Sequence, residues 1–271
     1  MRKKQIIIII SMACAVAIII ATILGIALKN NNTTPNKPTT NEEKTQEELK
    51  KEFNNLFNNS VEFNDYETSR IPKLVENKPI VYTTYELEAK KEDKYEVDMH
   101  IPVINIKNTA GSNFNKITQT IFANKAMEIL KDAKVYTIYS ITYTGYINGD
   151  VLSVIIKSTL KEGTSAQRII VQTYNYNLAT GEEITFEEIL KQKQIDVNEV
   201  SKKINTEITK SIKEANKVQI SGYQTYTRDL NDDIYKITNI STFFIGQDGK
   251  IRIVFAYGNN NFTSEMDIIE I

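Results

Sequence analysis

Residues 135–160 read VYTIYSITYTGYINGDVLSVIIKSTL, and this stretch settles the fold class. Apolar residues recur at short intervals from Val135 to Ile147 and again from Val151 to Leu160. That is the pattern of two strands with at least one covered face. Between them stands Asn148-Gly149, the pair preferred in a type I′ hairpin because both central residues take positive φ. The two strands are expected to be antiparallel neighbours.

Working outward, a third strand is expected over Arg168 to Leu178, beyond a loop containing Gly163. Upstream, Tyr82–Ala89 and Tyr95–Ile101 alternate on either side of Lys90-Lys91-Glu92-Asp93, which predicts another hairpin. Ser112 to Ala133 turns to helical spacing through Phe114, Ile117, Ile121 and Leu130. Downstream, Phe186–Leu190 predicts a short helix and Val197–Ala215 a longer one, with Val200, Ile204, Ile208 and Ile212 on the face that should cover the sheet. Strands are expected at Tyr235–Ile245 and Lys250–Tyr257, joined across Gln247-Asp248-Gly249, and at Met266–Ile271. Near the N-terminus, Leu49, Phe53, Leu56 and Phe57 share one face of a helix over Thr45–Asn59, opened by the capping box Thr45-x-x-Glu48. That face is expected to dock on the rest of the chain. The fold class is α+β, with antiparallel sheets and packed helices, behind one N-terminal transmembrane helix.

The transmembrane expectation rests on Ile6 to Leu28, 23 consecutive uncharged positions preceded by Arg2, Lys3 and Lys4. A helix of that length rises about 34 Å against a hydrocarbon core of roughly 30 Å. Its isoleucines, leucines and valine favour insertion by on the order of 4 to 8 kcal/mol. The basic cluster orients the N-terminus inward and the remainder outward. A cleaved signal would have a shorter apolar core ending in small residues, so an uncleaved anchor is expected. The layout is then a cytoplasmic stub at 1–5, an anchor at 6–28 and a flexible linker at 29–44. An amphipathic helix and extended segment follow at 45–80, then a hairpin-plus-helix subdomain at 81–134 and a C-terminal α+β domain at 135–271.

Outside the anchor and its basic flank, 30 basic and 34 acidic residues leave a formal charge of −4. Phosphate binding needs a clustered basic surface, so nucleic acid is not an expected partner. Cys14 is the only cysteine and lies in the apolar run, so no internal disulfide joins the exported part. His100 is the only imidazole, so histidine-rich zinc coordination is impossible and a Ser-His-Asp set lacks recognisable parts. Glu182, Glu183, Glu187, Glu188 and Asp232-Asp233 are the carboxylate groupings. They read as helix-start acids and a solvated turn rather than as a pair across a cleft. No cofactor, metal or catalytic residue is expected. The segment with most promise for contact is Gln219–Asp233, a long connection carrying Tyr223, Tyr226 and Arg228, residue types that commonly anchor protein interfaces.

The run Tyr174-Asn175-Tyr176-Asn177-Leu178-Ala179-Thr180-Gly181-Glu182-Glu183-Ile184-Thr185-Phe186 resembles the strand-turn-helix of a domain of unknown function in the anti-sigma-V factor ectodomain. Tyr95-x-Val97-x-Met99-x-Ile101-Pro102 and the helix near Asn115 are similar to the companion domain that precedes it there and in some peptidoglycan deacetylases. Phe244-x-x-x-Asp248-Gly249-x-Ile251-x-Ile253-x-Phe255-x-Tyr257 is similar to the closing hairpin. The resemblance spans Val81 to Ile271 and implies an extracellular binding or sensing module for a lysozyme-like protein or a cell-wall component. With only Met1–Gln5 expected inside the cell, direct sigma factor binding is not expected. The other reading of these residues is a cell-wall hydrolase or accessory working through Glu or Asp.

Overall fold

The computed structural model describes residues 44–63, 71–218 and 224–271. The expected stub, the anchor and all of the linker but Lys44 lie outside the described residues. Among those described, no helix is long and apolar enough to cross a membrane. Residues 44–271 form one unit of mixed α+β class.

Its main sheet contains β1 (Val61–Phe63), β2 (Val81–Lys91), β3 (Tyr95–Ile104), β4 (Thr137–Asn148), β5 (Val151–Glu162), β6 (Arg168–Asn177) and β7 (Glu182–Glu183). The strands run β2-β3-β4-β5-β6-β7, with β1 beside the far end of β4. Most pairings are antiparallel as expected, but β3–β4 and β1–β4 are parallel. The reason is a crossover: the chain leaves β3, passes through helices and returns, and such a connection delivers a parallel strand. The expected boundary at 134/135 therefore falls between two strands of one sheet.

That crossover holds α2 (Thr109–Thr118), a π-turn (Gln119–Ala123) and α3 (Asn124–Asp132). The expected apolar face is corrected in part: Phe114 and Leu130 pack against the core, but Ile117 and Ile121 are exposed while Thr118, Phe122, Ala126 and Ile129 are buried. The buried positions 118, 122 and 126 advance by four, more than the 3.6 residues of a regular turn, and the wider π-turn absorbs the excess. The β4–β5 pairing is antiparallel as expected, but its turn type is corrected. Asn148 pairs with Val151, leaving Gly149-Asp150 as the loop, and only Gly149 takes positive φ (57°). Glycine first with positive φ is the type II′ pattern rather than type I′.

After β7 come α4 (Phe186–Gln192) and α5 (Val197–Ala215), the latter burying Val200, Ile204 and Ile208 as expected. The expected strand Tyr235–Ile245 is corrected to two 3-10 turns, Asp233–Tyr235 and Ile237–Asn239, before a three-residue strand β8 (Phe243–Ile245). Local side-chain bonds close these turns: Asp232 Oδ1 accepts from Ile234 N and Asn239 Nδ2 donates to Asp233 O. Strands β9 (Ile251–Ala256) and β10 (Met266–Glu270) complete a three-stranded antiparallel sheet.

The layers follow from alternation along β9. Ile251, Ile253 and Phe255 join Ile204 and Ile208 of α5 in one core, whereas Val254 and Ala256 meet Tyr146, Ile155 and Val171 of the main sheet in another. Helix α1 (Gln46–Asn54), with its capping box formed, drives Leu49 and Phe53 into that second core. Each contributes about 1.5–3 kcal/mol by burial. Side chains close both edges of the small sheet. On β10, Gln46 donates to Ile268 O (2.7 Å) and accepts from Ile268 N (3.0 Å). On β8, Asn175 donates to Phe243 O, and Ser153 Oγ and Thr173 Oγ1 accept from Ile245 N and Phe243 N.

Candidate functional site

From Gln224 onward, the connection between α5 and the first 3-10 turn packs beside the turn that follows β9. Tyr223 lies outside the described residues. Tyr226 is half-buried and stacks on Tyr257 of the turn after β9, centroids 4.0 Å apart and planes at 16°. Its backbone N–H donates to Glu265 Oε1 at 2.6 Å. Gln224, Thr227, Asp229 and Leu230 are exposed around it.

Arg228 points inward, its side chain only 3% exposed. Nε donates to Asp267 Oδ2 (2.5 Å), and Nη2 to Asp267 Oδ1 and Glu265 Oε2, both at 3.2 Å. Nη1 returns to the carbonyl of Tyr226 at 3.1 Å. Asp267, on β10, is wholly buried and also accepts from the Tyr257 hydroxyl at 2.6 Å. Tyr257 and Tyr235 hydroxyls are 2.8 Å apart, and Lys50 Nζ of α1 lies 3.5 Å from Asp267 Oδ1.

Burial pushes the Asp267 carboxyl up, yet the Arg228 bonds outweigh it and hold the group below its ordinary value. Burial lowers Arg228, but the Asp267 bond reverses that and leaves it raised. Burial pushes Tyr235 up to about 12 and raises Tyr257 as well. At neutral pH the set is therefore a fixed ion pair with neutral phenols, which pins the connection and has no proton to exchange.

Of the expected contact residues, the fold brings Tyr226 and Arg228 together around Tyr257, with Tyr226 partly accessible and Arg228 consumed by Asp267. Sequence reading missed Asp267, Glu265 and Tyr257. A signal was present: Asp267 interrupts the apolar run Met266–Ile271, and a carboxylate in a covered strand requires a cation.

The other titratable groupings have structural partners. Glu188 receives Thr185 N and Oγ1, both at 2.8 Å, in a second capping box, and Asp233 pairs with Lys236. Glu182, Glu183 and Glu187 are exposed. His100 is half-buried on β3 between Asp98 (3.4 Å) and Glu86 (3.7 Å). Among the described residues, no group of three His, Cys, Asp or Glu is placed to hold a metal ion.

No family model matches the chain, and no curated protein matches it. Among solved structures it is similar to a DUF3298 family protein from Pseudomonas aeruginosa PAO1, at 10% identity and a TM-score of 0.42, over 72% of this chain and 91% of that one. It is also similar to a DUF3298 family member from Bacteroides fragilis NCTC 9343, at 10% identity and a TM-score of 0.35, over 65% of this chain and 79% of that one. These structural neighbours belong to a domain family of unknown function.

Proposed function

We propose that this chain is a binding or sensing module held at the outer face of a membrane by residues 6–28, with a lysozyme-like protein or a cell-wall component as ligand. In this reading Tyr223 and Tyr226 contribute contact surface and Arg228 fixes the segment that carries them. The supporting observation is the contrast within residues 224–231: exposed side chains on a backbone without regular secondary structure, anchored by the buried Arg228–Asp267 pair. A long connection fixed at one point can present side chains at little entropic cost on binding. The resemblance of Val81–Ile271 to the anti-sigma-V factor ectodomain supplies the ligand class. The reading assigns the carboxylates no turnover, and it assigns the chain neither a cofactor nor direct contact with a sigma factor.

The test is to offer the purified chain, in separate samples, cell-wall extract and a lysozyme-like protein. Stoichiometric retention with the ligand unaltered supports the proposal. Release of soluble glycan or peptide fragments, abolished by one Glu or Asp substitution, overturns it in favour of a hydrolase.

A further inference from the structure

A groove of about 330 Å³ lies between the C-terminal turn of α1 and the β8–β9 turn. None of its lining residues belongs to the connection described above. Its size falls at the lower end of ligand-binding clefts, about 300–1,000 Å³. Leu49, Phe53 and Leu56 line one side and Phe244 and Ile268 the other, so the floor is apolar. The rim is polar: Asn55 and Glu52 on the helix side, and Gln247, Asp248 and Arg252 across from them.

The rim is electrically closed. Arg252 lays Nη1 and Nη2 on the two oxygens of Asp248 (2.9 and 2.7 Å) and Nη2 also on Glu270 (2.8 Å). Lys250 bonds the other oxygen of Glu270, and Lys44 bonds Glu52 at 2.6 Å. Three carboxylates thus face three cations, and no net charge remains to select an ion. The guanidinium is fixed in position. The Arg252 side chain is only 15% exposed, and Gly246 leaves room for it, since a Cβ there would collide with Arg252 Nη1. Hydrogen-bonding capacity remains without net charge. Among the described residues, the Asn55 side-chain amide and the Arg252 Nε–H have no hydrogen-bond partner. An amide offers both donors and an acceptor, and a fixed N–H adds a directed donor.

We infer that this groove binds a neutral saccharide. A sugar ring presents an apolar C–H face to such a floor and hydroxyls to such a rim, carries no charge and needs both donors and acceptors. The inference rests on reading the chain as a binding module, and it narrows the cell-wall class of ligand to the glycan.

The experiment uses the full chain in a detergent without a sugar headgroup, titrated with chitotetraose and, separately, with maltotetraose, and followed by saturation-transfer NMR and calorimetry. Saturable binding of either sugar, with a Kd near or below about 1 mM, is expected. Asn55→Ala should weaken it at least about fivefold, the loss of one good hydrogen bond. Asn55 is exposed just beyond α1, so the melting temperature should hold. Asn55→Phe, which fills the groove from its rim, should abolish binding. Absence of saturation at about 10 mM of both sugars, or binding unchanged in both variants, overturns the inference. Retention of a lysozyme-like protein by the same sample would then leave the binding-module reading standing, whereas shortened sugar products would overturn both.

Discussion

Replacing Arg228 by Met keeps the stem that packs beside Tyr257 and removes the charge. Asp267, wholly buried, would keep the Tyr257 hydroxyl at 2.6 Å and Lys50 at 3.5 Å but lose both guanidinium bonds. Breaking one side of a buried pair costs about 3–5 kcal/mol. That is a large part of the 5–15 kcal/mol typical of a folded domain. For a unit of this size each kcal/mol moves the melting point by about 2–4 °C, so Arg228→Met should melt about 6–20 °C lower at pH 7.

The pH dependence has a definite sign. In the native chain Asp267 is depressed, so its contribution is present above its unfolded value near about 3.9 and is lost only as pH falls through the lower folded value. In Arg228→Met, burial without the guanidinium raises Asp267 above its unfolded value. The variant is then stabilised as pH falls through that raised value toward about 4. The deficit against the native chain should shrink between pH 7 and pH 4. Adding Asp267→Asn removes the stranded charge and should restore about 1–2 kcal/mol at pH 7. Urea unfolding at several pH values, with circular dichroism as the signal, measures all three. A single variant within about 1 kcal/mol of the native chain, or a deficit independent of pH, would refute the assignment of this pair as the anchor.

Three further outcomes are expected. Ile208→Asp places an unpaired carboxylate at a fully buried position between α5 and the small sheet and should prevent stable folding, whereas native-like melting would show the helix face to be wrong. Protease applied to intact cells should release a soluble fragment beginning within residues 30–45, and recovery of that fragment from the cytoplasm would reverse the orientation. Tyr223→Ala with Tyr226→Ala should weaken ligand binding by at least about 1 kcal/mol relative to a Lys191→Ala control; lost stability with unchanged affinity would make the tyrosines packing residues.

The periodic parts of the fold were legible in the sequence because burial enforces period. The β2–β3 hairpin, the hairpin formed by β4 and β5, the face of α5 and the capping box of α1 all follow from side-chain spacing or local caps, and each appears where expected. What escaped depends on partners distant in the chain. The β3–β4 parallel pairing needs a crossover whose landing site no local pattern encodes. The π-turn reflects a four-residue stride that a regular helical template assigns to the wrong face. Residues 233–242 carry strand-like side chains, but Asp232 and Asn239 bond the nearby backbone and curl the segment into turns. At the candidate site, residue type alone singled out Tyr226 and Arg228, while the inward direction of Arg228 depends on Asp267, 39 residues away in the chain.

The proposed function requires that the chain bind its ligand without transforming it. Its most direct measurement is a calorimetric titration of the purified chain with a lysozyme-like protein and with solubilised cell-wall glycan, each followed by mass spectrometry of the recovered ligand. Saturation at a fixed stoichiometry with at least one of the two, and a recovered ligand of unchanged mass, are expected. Cleaved ligand accumulating in proportion to time and chain concentration, or no heat of binding with either, would contradict it.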